Sequence, residues 1–373
     1  MARIKKILII GGGIGGLSAA IAVRRAGIAV DLVEINKEWN VYHVGIVVQG
    51  NALRALAALG VVDQCLAAGF PYNGLEFRDI GGRLLADIPG IKIAAGLPSE
   101  LGLTRPALHK VLSQAALAAG VVVRLGTSVT DIRETVDGVN VKLTGGSSDA
   151  YDLVVGADGV SSKTRTTLFG DALNPKFTGQ GVWRYNVPRP PELTRAVMYM
   201  GLERGKCGFI PLTADTGYLL LVQAESGARI PEEKLAQCFR ERLARCTGVM
   251  AQLRDKITDS SLVVYRPLQA LFMPAPWHKG RVLLIGDAVH ATTPHLGQGA
   301  AQAMEDGVVL GELLAEDAPL QQLMLAFMQR RYERCKLIFD ASLQIGEWEQ
   351  HPTSDADPAG LMARMIEVFA RPI

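Results

Sequence analysis

The fold follows from Ile7-Leu8-Ile9-Ile10-Gly11-Gly12-Gly13-Ile14-Gly15-Gly16, a short apolar run that opens into a glycine-rich turn. Residues 17–26 then carry the apolar spacing of a helix that Gly27 ends, and residues 29–35 read as a second strand. The order strand, glycine turn, helix, strand predicts a βαβ unit of a parallel sheet. It also argues against a secretory signal, because glycines interrupt the apolar N-terminal stretch.

The turn has the Gly-x-Gly-x-x-Gly spacing of dinucleotide-binding proteins. Gly11 makes the tight turn, Gly13 lets the backbone approach a diphosphate, and Gly16 lets helix and strand pack closely. Unpaired N–H groups near Ile14, at the start of the helix, favour that anion. Glu34 ends the second strand, where it can accept hydrogen bonds from an adenosine ribose. The motif predicts an ADP-containing cofactor without distinguishing NAD from FAD, because both carry the same ADP half.

Two later segments open into similar turns. Residues 152–157 read as a buried strand leading into Gly156-Ala157-Asp158-Gly159, and residues 281–285 read as another leading into Gly286-Asp287. Ligands in open α/β sheets bind at the carboxyl ends of strands, so both aspartates stand where a cofactor would lie. A loop then leads into a long helix over about residues 300–314, whose first turn can stabilise negative charge.

Composition excludes several functional classes. The 373 residues are 49% hydrophobic, enough for two or three domain-sized units. Lys plus Arg exceeds Asp plus Glu by 39 − 37 = 2, so no positive excess favours nucleic acid or an anionic membrane surface. No stretch is long and apolar enough to span a bilayer. The five cysteines contain no Cys-x-x-Cys pair, so we expect reduced thiols in a cytoplasmic protein without a metal site.

From residue 176 to about residue 268 the chain changes to strand-like runs with one helix-like stretch at 232–246. The simplest interpretation is a sheet inserted into the cofactor domain, with an extra hairpin at 75–85. The substrate pocket would lie between this sheet and the cofactor. We predict a cofactor domain of residues 1–74, 98–175 and 270–373, a substrate domain of residues 75–97 and 176–269, and C-terminal helices at 320–348 and 359–369.

These segments together resemble the para-hydroxybenzoate hydroxylase family of single-component, FAD-dependent aromatic monooxygenases. The resemblance covers nearly the whole chain in order and spacing, from the first glycine turn to Gly299 and Asp306. Ala300-Ala301, where many members have an asparagine, is more similar to the salicylate and urate hydroxylase branch. The resemblance implies an α/β fold: a Rossmann-like FAD-binding domain of the GR2 type, an inserted, mostly antiparallel β-sheet substrate domain and C-terminal helices.

The resemblance also implies residue roles. Glu34 would hold the adenosine ribose, Arg105 would lie near the FAD diphosphate, and the backbone of Val129 would approach the adenine. Asp158 would serve both FAD and the nicotinamide coenzyme, and Asp287 would bind the ribityl chain. With only one dinucleotide fold, NADH or NADPH would visit the flavin transiently. The implied FAD-binding set comprises Gly11, Gly13, Ile14, Gly16, Glu34, Lys37, Arg105, Val129, Asp158, Asp287, Gly297, Gln298, Gly299, Ala300 and Ala301.

The implied chemistry sets a requirement on the substrate pocket. A flavin C4a-hydroperoxide attacks an aromatic ring readily only if that ring is electron-rich, ideally as a phenolate. Keeping a phenol with a pKa of about 10 ionised at pH 7 costs about 4 kcal/mol, so a cation or base has to offset it. The resemblance favours Arg204 and Tyr218 as catalytic residues, with Pro294 near the flavin carbon that carries the peroxide. Polar candidates on the inserted sheet are Arg184, Tyr185, Arg204, Lys206 and Tyr218.

We therefore expect hydroxylation of a small electron-rich aromatic or N-heteroaromatic compound with O₂ and NADH or NADPH. Two alternatives stay open at this point. One is a FAD-dependent reductase or epoxidase of an isoprenoid or lipid, and the other is a flavin-binding redox protein without turnover. A homodimer is compatible with the sequence, although no residue indicates one.

Overall fold

The structure is a computed structural model that describes residues 4–316 and 318–373. Its strands are β1 (Lys6–Ile10), β2 (Ala29–Glu34), β3 (Gly45–Gln49), β4 (Phe70–Tyr72), β5 (Leu75–Asp79), β6 (Leu84–Ile88), β7 (Glu100–Thr104), β8 (Val122–Leu125), β9 (Val129–Glu134), β10 (Val139–Leu143), β11 (Ser148–Tyr151), β12 (Leu153–Gly156), β13 (Lys176–Pro188), β14 (Ala196–Leu202), β15 (Gly205–Pro211), β16 (Thr216–Ala224), β17 (Val264–Phe272), β18 (His278–Lys279) and β19 (Val282–Leu284). Its α-helices are α1 (Ile14–Arg25), α2 (Gly50–Ala58), α3 (Val62–Ala68), α4 (Arg105–Ala118), α5 (Lys163–Phe169), α6 (Leu235–Arg242), α7 (Gly248–Arg254), α8 (Asp287–His290), α9 (Gly299–Leu314), α10 (Leu320–Gln350) and α11 (Pro358–Ala370).

The cofactor half is built on a six-stranded sheet in the order β18-β19-β12-β1-β2-β8. All neighbours run parallel except the short edge pair β18 and β19. Strands of parallel sheets are covered on both faces, which explains why Ile7, Leu8 and Ile9 have no exposed surface. The predicted βαβ unit is confirmed, and both later strands join it. Antiparallel three-stranded sheets, β11-β10-β9 and β3-β7-β4, accompany the central sheet.

Helices α1 and α9 pack closely against each other. A Cβ on Gly307 would lie 2.6 Å from the Ala19 amide nitrogen, a distance that real side chains do not adopt. Near the helix starts, a Cβ on Gly15 would lie 3.2 Å from the Ala303 Cβ. A larger residue at Gly307 would push the helices apart, so this glycine keeps the first turn of α9 beside the first turn of α1.

The inserted part forms a seven-stranded sheet in the order β17-β13-β16-β15-β14-β5-β6. Its neighbours are antiparallel except β14 and β5, which confirms the mostly antiparallel sheet and its added hairpin. Successive side chains of a strand point to opposite faces of the sheet, so the two faces carry different residues. Trp183 and Phe209 are fully buried in one cluster with Phe239 of α6, so they fill the core, whereas Val182 and Leu220 line a cavity on the other face.

Two details of the inserted part differ from the sequence prediction. The predicted helix at 232–246 is shorter in the structure, since a 3₁₀ turn at Glu232–Lys234 precedes α6 and α6 ends at Arg242. The strand-like region expected to end near residue 268 runs on to Phe272, because the second half of β17 pairs with the start of β13. The expected domain limit near residue 270 therefore falls inside β17.

The C-terminal helices α10 and α11 agree with the predicted ones. Arg331 of α10 is fully buried and donates to Asp306 Oδ1 and Glu305 Oε2 of α9, both at 2.7 Å. Arg334 donates to the same Glu305 Oε2 at 2.8 Å. These buried ion pairs tie α10 to α9. No helix in residues 4–316 and 318–373 combines the length and the apolar character that crossing a bilayer requires.

We predict that Arg331→Met lowers the free energy of unfolding by about 3–5 kcal/mol, because it removes the buried cation of Asp306 and leaves Glu305 with Arg334 as its buried partner. Arg330→Met is the matched control: its guanidinium pairs with the half-exposed Glu312, so its loss should cost less than about 1 kcal/mol. Urea unfolding of both variants measures the difference. Equal losses would show that the buried network contributes no more than a surface pair.

Candidate active site

The carboxyl ends of β1, β12 and β19 meet at one edge of the central sheet. A Cβ on Gly11 would lie 2.4 Å from the Ala157 carbonyl oxygen, and the Ile285 amide donates to the Gly156 carbonyl at 3.0 Å. The three glycine-rich turns of the sequence therefore lie together. They form one side of a cavity of about 900 Å³, and the inserted sheet forms the opposite side.

The glycines of the first turn have different surroundings. A Cβ on Gly16 would lie 2.0 Å from the Gly11 carbonyl oxygen, so Gly16 permits the close return of the chain. Around a Cβ on Gly13, by contrast, the described chain has no atom within 4 Å, and Gly13 and Ile14 both line the cavity. Open space beside the N–H groups of a helix start fits a diphosphate.

Glu34 ends β2 and lines the cavity. Its Oε2 accepts the Gly12 amide at 2.9 Å, and its Oε1 accepts the Asn36 amide at 2.9 Å, so the carboxylate also holds the glycine turn in place. Two other predicted residues are not brought to the cavity wall. Lys37 is exposed to solvent, and Val129 begins β9 outside the lining set.

Asp158 turns its carboxylate away from the cavity. Its Oδ2 accepts the Thr164 amide at 3.0 Å and the Thr164 hydroxyl at 2.9 Å, while Oδ1 accepts the Ser162 hydroxyl at 2.5 Å. The side chain thereby stabilises the start of α5, and its neighbours Ala157 and Gly159 line the cavity instead. A direct contact between this carboxylate and a cofactor would require these three bonds to break.

Asp287 begins α8 directly after Gly286, whose φ of 60° turns the chain towards the cavity. Its side chain lines the cavity, and burial raises its pKa, an effect that His290 and Arg105 partly oppose. The Gly286 amide donates to Asp306 Oδ2 at 2.8 Å, and His290 Nε2 lies 2.7 Å from the same oxygen. A carboxylate in such a hollow is stabilised by hydrogen-bond donors on a ligand.

The loop before α9 supplies another part of the wall, and Gly297 adopts a φ of 65° in it. Gln298 also borders the cavity, but its side chain is fully buried and donates to Asn51 Oδ1 at 3.1 Å and to Gln49 Oε1. Ala301 is buried within α9 and does not reach the cavity. Gln298 and Ala301 therefore support the wall by packing. The predicted residues of this loop that line the cavity openly are Pro294, Gly297, Gly299 and Ala300.

On the opposite wall, Arg184 and Tyr218 lie near each other and near Arg105. Burial lowers the pKa of Arg184 to about 10, and Arg105 acts in the same direction. Burial raises the pKa of Tyr218, which the two arginines partly oppose. Arg184 is thus a half-buried cation that forms no ion pair with a carboxylate of the described residues.

Arg204, the other residue predicted with Tyr218, is not brought to the cavity. It occupies the tight turn between β14 and β15 with a φ of 54°, and its side chain is exposed. Tyr185 also points away, because it belongs to the core cluster on the far face of the sheet. A shift of one residue exchanges the two faces of a strand, so sequence spacing could not select among these candidates. Of these two arginines, the structure brings Arg184 to the cavity wall and leaves Arg204 outside it.

A second polar cluster borders the cavity beside the loop of Pro294. Lys206 Nζ lies 2.6 Å from Glu349 Oε1, and His295 Nε2 lies 3.2 Å from Glu349 Oε2. Burial raises the pKa of Glu349, but Lys206 and His295 outweigh it and lower that pKa to about 2. Burial lowers the pKa of His295, and Lys206 adds to this effect. The cluster holds an ion pair beside a neutral imidazole and joins α10 to β15.

Several site residues carried no signal in the sequence. His109 Nε2 lies 2.8 Å from the Gly12 carbonyl oxygen, and the Trp39 ring would lie 2.5 Å from a Cβ on Gly12. Only the start of α4 could have been predicted, from Thr104 before Arg105-Pro106. His109 then lies one helical turn after Arg105. Glu349 and Lys206 are single residues far apart in the chain, and only folding brings them together.

We predict that Gly13→Ala and Gly16→Ala separate cofactor binding from folding. A methyl group at Gly13 has room in the protein but enters the space for the diphosphate, so FAD affinity should fall by about tenfold or more. At Gly16 the methyl group meets the backbone, so the free energy of unfolding should fall by about 1–3 kcal/mol. Flavin fluorescence titration and urea unfolding measure the two effects. A loss of stability in Gly13→Ala equal to that in Gly16→Ala would contradict this division.

Comparisons with known proteins agree with this site. The FAD binding domain family matches residues 5–341. The putative FAD-dependent monooxygenase YetM of Bacillus subtilis is 32% identical over 348 residues, 91% of this chain and 93% of that protein. The 2-heptyl-3-hydroxy-4(1H)-quinolone synthase of Pseudomonas aeruginosa is 33% identical over 353 residues, 92% of this chain and 90% of that protein.

Solved structures extend the likeness to three dimensions. The crystal structure of Klebsiella pneumoniae R204Q HpxO complexed with FAD has a TM-score of 0.84 and 26% identity. It covers 98% of this chain and 95% of that chain, so both sheets and the C-terminal helices share its fold. The glycine turn, the buried strand ends and the cavity fit FAD on their own geometry as well. The chain therefore belongs to the FAD binding domain family and is a FAD-dependent monooxygenase.

Proposed function

We propose that this monooxygenase uses NADH or NADPH and O₂ to hydroxylate a small electron-rich aromatic or N-heteroaromatic ring. The observation that carries the proposal is Arg184, a half-buried cation near Tyr218 that lines the same cavity as the FAD-binding turns. An anionic ring oxygen is the partner that such a cation attracts. The name of the quinolone synthase states a hydroxylated N-heteroaromatic product, which supports this ring class.

On the flavin side, we assign the diphosphate to the N–H groups at Gly13 and Ile14. The adenosine ribose would lie against Glu34, and the ribityl chain against Asp287, whose carboxylate faces the cavity and would accept hydrogen bonds from the ribityl hydroxyl groups. Pro294 and the start of α9 would then border the flavin ring. Residues 75–97 and 176–269 would serve the substrate.

On the substrate side, the protein has to supply an ionised ring. Bound FAD would pass two electrons from NADH or NADPH to O₂, so that one oxygen atom of O₂ enters the ring and the other leaves as water. Ionising a phenol or enol with a pKa of about 10 at pH 7 costs about 4 kcal/mol. Arg184 would offset this cost, because a cation within about 4–6 Å lowers the pKa of an acid by about 1–3 units. The buried Tyr218, which stays protonated, can donate its hydroxyl to the resulting oxygen anion.

The alternatives from the sequence fit these residues less well. A reductase or epoxidase of a lipid double bond has no ionised ring to stabilise, so Arg184 and Tyr218 would have no role there. A flavin-binding protein without turnover is not supported, because the relatives that match nearly the whole chain include a named monooxygenase. Hydroxylation gives both side chains a chemical role.

We predict substrate-stimulated oxidation of NADH or NADPH, with oxygen from ¹⁸O₂ entering the product. The experiment combines the flavin-loaded protein, each coenzyme and a panel of hydroxylated aromatics, quinolones and purines, and measures flavin reduction and product mass. One ¹⁸O atom per product is expected, with none from H₂¹⁸O. Accelerated coenzyme oxidation that yields only hydrogen peroxide, with no labelled product for any ring, would remove the hydroxylase proposal.

We predict that Arg184→Met raises the pKa of the acid limb of the kcat–pH profile by about 1–3 units. Removing the cation destabilises the substrate anion, so a higher pH is needed to ionise the bound ring. Arg204→Met is the matched control, since that arginine is exposed on the same sheet and does not line the cavity. An unchanged acid limb in an Arg184→Met enzyme that still binds FAD would exclude the proposed role.

A further inference from the structure

Helix α11 presents two apolar faces. Met365, Val368 and Phe369 pack into a cluster with Leu296 and residues of α10. A second apolar set, at the helical spacing i, i+3, i+4 and i+7, lines the cavity; Met362 and Ile366 in it also pack against the edge of that cluster, whereas Ala359 and Ala363 are exposed. We call this set the α11 stripe: Ala359, Met362, Ala363 and Ile366. Apolar side chains that border an open cavity in this way favour the binding of an apolar ligand there.

The orientation of the stripe is fixed by hydrogen bonds from α2 and α10 to the C-terminal end of α11. Arg54 of α2 donates to the Arg371 carbonyl at 2.8 Å, and Arg334 of α10 donates to the Phe369 carbonyl at 3.2 Å. The helix cannot rotate to bury the stripe without breaking these bonds. The stripe is therefore a permanent part of the cavity wall.

Apolar side chains from another part of the fold line the same cavity. They are Ile88, Ile91 and Ile93, from the end of β6 and the segment after it. Ile93 packs 3.0 Å from the position of a Cβ on Gly50 and also contacts the α11 cluster, so this segment lies next to the helix. Ile91 is 50% exposed, which leaves apolar surface uncovered on this side as well.

The apolar region is continuous with the site of chemistry. Leu296 belongs to the α11 cluster and also lines the cavity two residues after Pro294, the residue assigned to the flavin ring. The ring end of the cavity offers Arg184 and Tyr218 for polar recognition, whereas the stripe and the facing isoleucines offer only apolar contacts. From 359 to 366 the stripe extends about 10 Å along the helix axis. A ring with an apolar substituent would match both regions at once.

We propose that the space between the α11 stripe and Ile88, Ile91 and Ile93 binds an aliphatic chain carried by the aromatic substrate. The inference rests on the proposed function for the position of the ring, and it specifies the substrate class as an alkyl-substituted hydroxylated heteroaromatic. Burial of each methylene in this subsite removes apolar surface from water. The expected gain is about fourfold in affinity per methylene while the chain follows the stripe.

The test measures binding without turnover. The FAD-loaded enzyme is titrated without oxygen or coenzyme with 4-quinolones bearing methyl, propyl or pentyl chains at carbon 2, and the change in flavin absorbance gives Kd. Affinity should rise by about fourfold per added methylene. In Ala363→Phe the new ring fills the subsite, so this increment should be lost. Arg364→Phe adds the same ring at an exposed position outside the cavity lining and should keep the increment.

The proposed subsite would be refuted if affinity stayed constant or fell from methyl to pentyl in the unaltered enzyme. It would also be refuted if Ala363→Phe kept the gain in affinity per methylene. A dimer in sedimentation that Ala363→Phe abolishes would assign the stripe to a subunit interface and likewise overturn the proposal. The proposed function fails separately. If affinity rises with chain length but no product contains ¹⁸O, the subsite stands and hydroxylation is refuted. If product is labelled but affinity does not rise with chain length, hydroxylation stands and the subsite is refuted.

Discussion

The parallel pairing of β1, β12 and β19 is the constraint on which the rest of the site depends. Parallel neighbours end at the same edge of a sheet, so the turns after the three strands must meet there. The first two turns pack so closely that only a hydrogen atom fits on the Gly11 Cα beside the Ala157 carbonyl. This contact joins residues from the start, the middle and the last third of the chain into one wall. A cofactor with both a diphosphate and a ring system can then be held from several directions by parts that are rigid before it binds.

Buried charge keeps that wall in place. Asp306 accepts the Gly286 amide, the Arg331 guanidinium and the His290 imidazole, so the loop that carries Asp287 is fixed to α9 and α10. Burial disfavours the imidazolium of His290, but nearby Cys335 and Asp306 outweigh it and raise its pKa. The donor atoms of His290, Asp306 and Cys335 lie within 4.8 Å of one another, as in a metal site. The Arg331 cation on the same carboxylate makes this an ion-pair network instead.

The inserted sheet supplies the other half of the site through strand alternation. One face of β13 and its neighbours carries Trp183 into a fully buried core, and the opposite face turns Arg184 to the cavity. The two faces have different surroundings, since one packs into a core and the other turns polar side chains to open space. Helix α11 adds an apolar part of the cavity wall, and Arg334 connects that helix to the same Glu305 that pairs with Arg331. The loop of Asp287 and helix α11 are thus held by one set of buried ions.

Sequence alone predicted the βαβ unit, the three glycine-rich turns and an inserted sheet, because turn chemistry and apolar periodicity are local properties of neighbouring residues. The positions of Gly13, Glu34 and Asp287 at the cavity were predictable for the same reason, since each stands at the end of a strand or in the turn that follows it. The structure was needed to show that the Asp158 carboxylate bonds to Ser162 and Thr164 at the start of α5, and that Arg184 rather than Arg204 lines the cavity. It was also needed to show that α11 borders the cavity. An aspartate in such a turn can bond either to a ligand or to the next helix start, and spacing alone does not select between them. The positions of Arg184 and α11 depend on strand register and on contacts between residues far apart in the chain, where a change of one position reverses the direction of a strand side chain.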